Sequence, residues 1–456
     1  MRSHEILKSL LRVGFGSQLR RNTLAGSASA IVGASISALS YPVYLHFLGY
    51  EQYGLWLSVG VVLSFAQFGN LGLAPAVAST VAIEFAQRDF DGMKATVSTA
   101  LIALSAAGVV CVVAVLSAGR FVIGTMHLST PLTSEARDLL PLVALVSLYA
   151  IQIDTVNAVL VGIGRLDLSV GTQVASRALA LIVSAILLSR GFGVISIPIG
   201  ILSGYVFLHF TALALARHLT GHSCLSVHSL SFRKLRKLVR FGSGLLLCMI
   251  ISFLLGPLNE FTLTRYSGPG SVPIYDLAFS VCMQLRGILE SGFRSLTPEV
   301  SRLGASELPD IADRLRGVSR RAMTLIAAVG LPVYTLLFVL AEPCLRIWLQ
   351  GRFQPALVPT LRVLLAASFV SLCGVPGYYM LIGRFKVKHI VTSWVLQSGT
   401  NLGVLAALAA LTGTMSAFMT ATAAAAGIAA GGTYLLVRGR MEISSMRIVP
   451  ALCVAP

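Results

Sequence analysis

The chain has 456 residues, 55% of them hydrophobic and only 12% charged, with a mean hydropathy of +0.82, whereas a soluble domain is roughly a quarter charged. That balance excludes an ordinary soluble globule and reads as an all-α polytopic membrane protein. The net charge of +17 is spread over short loops between apolar runs instead of being gathered on a folded polar domain, so no nucleic-acid partner is implied.

In chain order, residues 1–23 make a basic tail (Arg2, Lys8, Arg12, Arg20, Arg21) with Ile6, Leu7, Leu10 and Leu11 on an amphipathic turn. The small residues SASA at 27–30 open a long apolar run, whereas a cleaved secretory leader would carry them after its apolar core. Apolar runs of about 20 residues, the length that spans a bilayer, then recur twelve times. Six fall at 24–47, 54–86, 95–118, 138–162, 169–189 and 194–216, and six more at 241–264, 272–303, 318–340, 358–382, 389–411 and 414–437. The longest basic connection, 217–240, separates an N-lobe (24–216) from a C-lobe (241–437), and 438–456 forms a second basic tail. Lys and Arg number 25 on the side that holds both tails and seven on the other, so both termini are expected in the cytoplasm.

Two halves of six spans point to an internal repeat. A weak trace survives in the residues: Tyr53 and Leu55 recur as Tyr275 and Leu277, and Pro75 and Val77 fall opposite Pro298 and Val300. The second and eighth spans are overlong, about 48 Å of helix against a hydrocarbon core near 30 Å. The GNLGLAP stretch at 69–75 is where the first of them would bend.

The stretch FLGYEQYGLWLSVGVVLSFAQFGNLGLAPAVASTVA at 47–82 resembles the second-helix region of the Wzx-type polysaccharide flippases, through Tyr53, Gly54, Leu55, Trp56, Gly72 and Leu73. Where that family usually carries an acidic residue before the Gly-Leu pair, this chain has Asn70-Leu71. The resemblance places the chain in the multidrug/oligosaccharidyl-lipid/polysaccharide exporter (MOP) superfamily. It implies a V-shaped pair of six-helix bundles around a cavity lined mainly by helices one, two, seven and eight. It further implies a lipid-linked oligosaccharide substrate, surrounding membrane lipids, a glycan polymerase or glycosyltransferase complex as partner, and a bacterial inner-membrane location.

Charges inside the apolar runs carry the chemistry, because an Arg or Asp at mid-bilayer costs about 2.5–3.5 kcal/mol. They are Asp154, Arg177, Glu260, Asp276, Arg286, Glu290 and Arg294. Arg286, Glu290 and Arg294 advance by about 40° each on a helix and so share one stripe. Arginine offers planar, persistently charged donors suited to phosphate oxygens. Arg286, Arg294 and Arg177 are therefore the cationic candidates for substrate binding, with Gln284, Gln67, Asn70 and Asn259 as neutral hydrogen-bonding partners. Glu290, Asp154 and Glu260 are the candidates for ion coupling. Simpler structural readings stand beside these: Arg286 with Glu290, and Asp154 with Arg177, also form ion pairs that tie helices together. The seven cysteines form no C-x-x-C or Cys/His cluster, and no G-x-x-x-x-G-K-[ST] occurs, so neither a metal, a cofactor nor a P-loop nucleotide is expected.

A secondary flippase is thus the leading expectation. A drug or cation antiporter of the same superfamily would favour acids over arginines within the spans. A membrane glycan polymerase or ligase would carry a long outer loop, whereas the longest here, 119–137 and 341–357, are short.

Overall fold

A computed structural model describes residues 31–61, 63, 73–126, 128–222, 231–236, 238–239, 255–291, 293, 311–383 and 386–445. Its elements are helices: α1 (Ile31–Val61), α2 (Leu73–Ala86), α3 (Phe90–Thr125), α4 (Thr130–Gly162), α5 (Leu166–Ser189), α6 (Ser196–Thr220), α7 (Leu255–Ser267), α8 (Val272–Ser291), α9 (Ile311–Leu325), α10 (Leu331–Val339), α11 (Ala341–Leu349), α12 (Leu357–Gly383), α13 (Val387–Thr412) and α14 (Ala417–Ser445). Lipid offers the backbone no hydrogen-bond partners, so an apolar segment that crosses it satisfies its own N–H and C=O groups as a helix. Among the described residues, ten helices are long and apolar enough to cross a membrane. The two expected spans not among them, 54–86 and 241–264, run across residues outside the described set, as do Gln67, Asn70 and Arg294.

Local sequence sets the breaks. Within α1, Gly49 adopts φ +69°, a conformation strained for any L side chain, and the expected boundary between the first two spans falls there. Between α9 and α10 a π-helical turn, Ile326–Gly330, precedes Pro332, which has no N–H to return to the preceding turn.

The chain forms two compact units. The first comprises Met1–Leu48, Val59–Thr125 and Ser129–Leu247, and the second Gly49–Ser58, Met126–Leu128 and Cys248–Pro456. In the first unit α4 is the central helix, packed on α2, α3 and α6, while α5 pairs with α6. Over its most apolar stretch α4 is 56% buried, against 17–33% for the other spans between residues 31 and 220. In the second unit α12 packs on α8 and α14, and α13 pairs with α14. The fourth and tenth spans thus hold matching posts, each against the second and sixth helix of its half, which is the packing signature of a repeat. Tyr53, Leu55, Tyr275 and Leu277 are all buried.

Close approach of α5 and α6 depends on two glycines one turn apart. A side chain at Gly204 would meet the Ser176 carbonyl oxygen at 2.6 Å, and one at Gly200 would meet Ser184 and the Ala180 carbonyl. Ser176 uses the proximity, its Oγ donating to the Gly204 carbonyl at 2.7 Å. Gly204→Val is expected to force the two helices apart, at about 1–3 kcal/mol of stability, measured as a lower Tm of the protein in detergent micelles. An unchanged Tm would show that the pair tolerates separation.

Candidate functional site

Polar side chains within the spans gather in three places. In the first unit, Asp154 of α4 lies eight residues before the helix ends at Gly162, and Arg177 of α5 eleven after that helix begins at Leu166. At 1.5 Å per residue both sit about 12–17 Å along their helices. Arg177 exerts a direct electrostatic attraction on Asp154, and Tyr205 of α6 lies within reach of both charges. Beside them is a cavity of about 250 Å³ between α4, α5 and α6, lined by Asp154, Asn157, Gln173, Ser176, Arg177 and Tyr205 with an apolar remainder. Asp154 and Arg177 are exposed to it. Asn157 is only 6% exposed, and its Oδ1 has no hydrogen-bond partner among the described residues. Helix α1 closes over the guanidinium, since a Cβ at Gly33 would meet Arg177 Nη1 at 3.2 Å.

In the second unit, Arg286 of α8 is half-buried. Its Nε lies 3.4 Å from Glu290 Oε2 without the alignment of a hydrogen bond. Tyr379 of α12 donates to Glu290 Oε1 at 3.4 Å. Gln284 is half-buried on the same helix.

Asn259 of α7 has a different setting. It is fully enclosed, donating Nδ2 to Tyr275 OH at 2.9 Å and exchanging amide hydrogen bonds with Asn401 of α13, the shorter at 3.0 Å. Its next neighbour, Glu260, faces the like charge of Asp276 on α8. The structure therefore brings Asp154 and Arg177 together, and Arg286 and Glu290 together, and commits Asn259 to a tie inside the bundle. Among the described residues no group of three or more His, Cys, Asp or Glu side chains is arranged to hold a metal ion.

Sequence reasoning did not single out Asn157, Gln173, Tyr205, Tyr379 or Asn401. A helical wheel shows part of the signal, because Asn157 follows Asp154 by three residues and Arg177 follows Gln173 by four, each pair sharing one face. A further tie lies where the basic connection 217–240 returns to the first unit. Lys234 Nζ donates to Glu84 Oε1 at 2.7 Å and to Thr96 Oγ1 at 3.0 Å, while Thr96 also donates to Glu84 at 2.8 Å. Leu238 seals the contact, packing into the core of the first unit.

Residues 19–303 match a family described as polysaccharide biosynthesis protein. No curated protein matches the chain. Among solved structures, the inward-facing conformation of a multidrug resistance MATE family transporter of the MOP superfamily is similar at 17% identity, over 93% of this chain and 95% of that one, with a TM-score of 0.72. The outward-facing conformation of such a transporter is similar at 15% identity over 93% and 96%, with a TM-score of 0.63. A MOP superfamily transporter from Pyrococcus furiosus, whose binding pocket of reverse polarity suggests a different function, is similar at 16% identity over 93% and 96%, with a TM-score of 0.65. At these identities the likeness is one of fold, and the fold is the twelve-helix MATE/MOP fold.

The Lys234 contact generates an expectation about stability. The Glu84 side chain is 11% exposed and its Oε2 has no hydrogen-bond partner among the described residues. Lys234→Ala strands a buried carboxylate and is expected to cost about 3 kcal/mol. Adding Glu84→Gln in the same chain should return part of that loss. Thermal unfolding of the single and double variants checks both, and a Tm unmoved by Lys234→Ala would show that the tie is solvated.

Proposed function

Because the chain belongs to the polysaccharide biosynthesis protein family, we propose that it is a flippase for lipid-linked oligosaccharide, a sugar chain on a polyprenyl pyrophosphate. In this reading it moves the cargo from the inner to the outer leaflet of a bacterial inner membrane, with both termini in the cytoplasm. The observation that carries the proposal is Arg286, a guanidinium half-buried in a membrane-spanning helix whose ion pair among the described residues is a 3.4 Å contact to a carboxylate. Five N–H donors exceed what one carboxylate at that distance takes up. The surplus suits the non-bridging oxygens of a pyrophosphate, which accept paired donors from arginine.

Gln284 on the same helix joins Arg286 in this assignment, while Arg294, Gln67 and Asn70 lie outside the described residues and remain candidates on their sequence alone. Arg177, balanced by Asp154, serves the sugar portion rather than the phosphates, and the enclosed Asn259 holds α7 to α8 and α13. The two units present the cargo alternately to each side, while the lipid tail never leaves the bilayer. Glycosyltransferases and a glycan polymerase are the partners that supply and consume such a cargo.

Moving an anionic head group away from a negative interior is assisted by about 2.3 kcal/mol per charge per 100 mV. The membrane potential alone therefore gives the direction, without ion exchange through Glu290, Asp154 or Glu260. The solved neighbours described as multidrug transporters suggest a cationic cargo as the rival reading.

Reconstitution into liposomes with lipid-linked oligosaccharide separates these possibilities. Transport is expected to slow when the potential is collapsed and to persist when the pH gradient is collapsed. Arg286→Ala should lower the rate about ten- to a hundredfold, the worth of a lost hydrogen bond to a charged group, and Arg286→Lys should retain part of it. Full transport by Arg286→Ala would remove the arginine from the site. Transport of a lipophilic cation with none of the glycan would replace the flippase with a drug exporter.

A further inference from the structure

The cavity in the first unit has a chemistry of its own, separate from the arginine stripe of α8. Its charges cancel: Asp154 and Arg177 attract one another, so neither an anion nor a cation finds a net opposite charge there. Its polar rim alternates in character. Asp154 accepts, Arg177 donates, the Gln173 amide does both, and the Asn157 amide adds a further polar edge. A vicinal diol demands such a pattern, because each hydroxyl both donates and accepts. The remaining wall, with Ile201, Leu208 and the Tyr205 ring, is apolar enough to cover the C–H face of a pyranose.

Size narrows the choice further. At about 250 Å³ the space falls below the roughly 300 Å³ at which pockets begin to hold drug-sized molecules, so it is sized for one ring of a cargo. Asn157 lines the same space although it is only 6% exposed.

We infer that this cavity is a binding subsite for a single uncharged sugar ring, held by Asp154, Arg177, Asn157 and Gln173. The inference rests on the glycan-transport reading and adds to it a place and a charge preference: the first unit selects a neutral ring independently of the pyrophosphate.

The test is carboxyl footprinting of the full-length protein in detergent micelles with a water-soluble carbodiimide, read at Asp154 by mass spectrometry. The probes are a neutral methyl hexopyranoside, the matching hexuronate and tetraphenylphosphonium. The neutral glycoside is expected to protect Asp154 saturably and the two ions to leave it reactive. Asn157→Leu and Gln173→Leu should each raise the half-protecting concentration about tenfold, the effect of losing a hydrogen bond. Absence of protection by the glycoside means a cavity that holds water alone, and it overturns the subsite. Protection that neither variant weakens, or that either ion reproduces, overturns it equally. If Asn157→Leu fails to fold, Gln173→Leu and the wild-type probe pattern still decide. A failed footprint alongside intact glycan transport in liposomes removes the subsite and leaves the flippase standing. Wild-type liposomes that transport no glycan remove the flippase itself.

Discussion

A charged side chain at the centre of a bilayer costs about 2.5–3.5 kcal/mol, and a handful of such residues outweighs the gain from burying a helix unless each finds a partner or water. The pairings within each unit follow from that constraint. Asp154 attracts Arg177 across α4 and α5, and Arg286 and Glu290 meet one turn apart on α8. Neutral polar groups obey the same rule more gently. Asn259 and Asn401 consume each other's amides in a fully enclosed pair, which removes the desolvation cost of both.

The two units solve the problem differently. In the second, the Asn259, Tyr275 and Asn401 cluster is closed off from any space around it. In the first, Asp154 and Arg177 stay exposed beside a space large enough for several waters, the setting that solvation of charges within a span requires. The ends of the helices are secured separately, by Lys234 on Glu84 in the first unit and Lys386 on Glu442 at 2.6 Å in the second.

Most of the fold was legible in hydropathy alone. Solved structures only 15–17% identical share it over 93% of the chain, because apolar length and spacing, more than residue identity, decide how helices fill a bilayer. Asp154, Arg177, Arg286 and Glu290 stood out for the same reason: a charge in an apolar run is conspicuous. Asn157, Gln173 and Tyr205 did not, since uncharged polar residues are scattered through every span and gain meaning only when three helices converge. The commitment of Asn259 was hidden as well, its partner Asn401 lying 142 residues further along. Lys234 looked like one more charge in a basic connection, and its docking depends on Glu84, 150 residues earlier.

Whether water reaches the centre of the first unit bears on all of this most directly. Gln173→Cys in the intact protein, treated in membranes with a charged, membrane-impermeant thiol reagent and read site by site by mass spectrometry, reports it. Solvated mid-span charges require the introduced thiol to react while the buried Cys282 stays unmodified. An introduced thiol that reacts solely with an apolar, membrane-permeant reagent would mean that Asp154 and Arg177 neutralise each other in a dry bundle, and the cavity would carry no cargo.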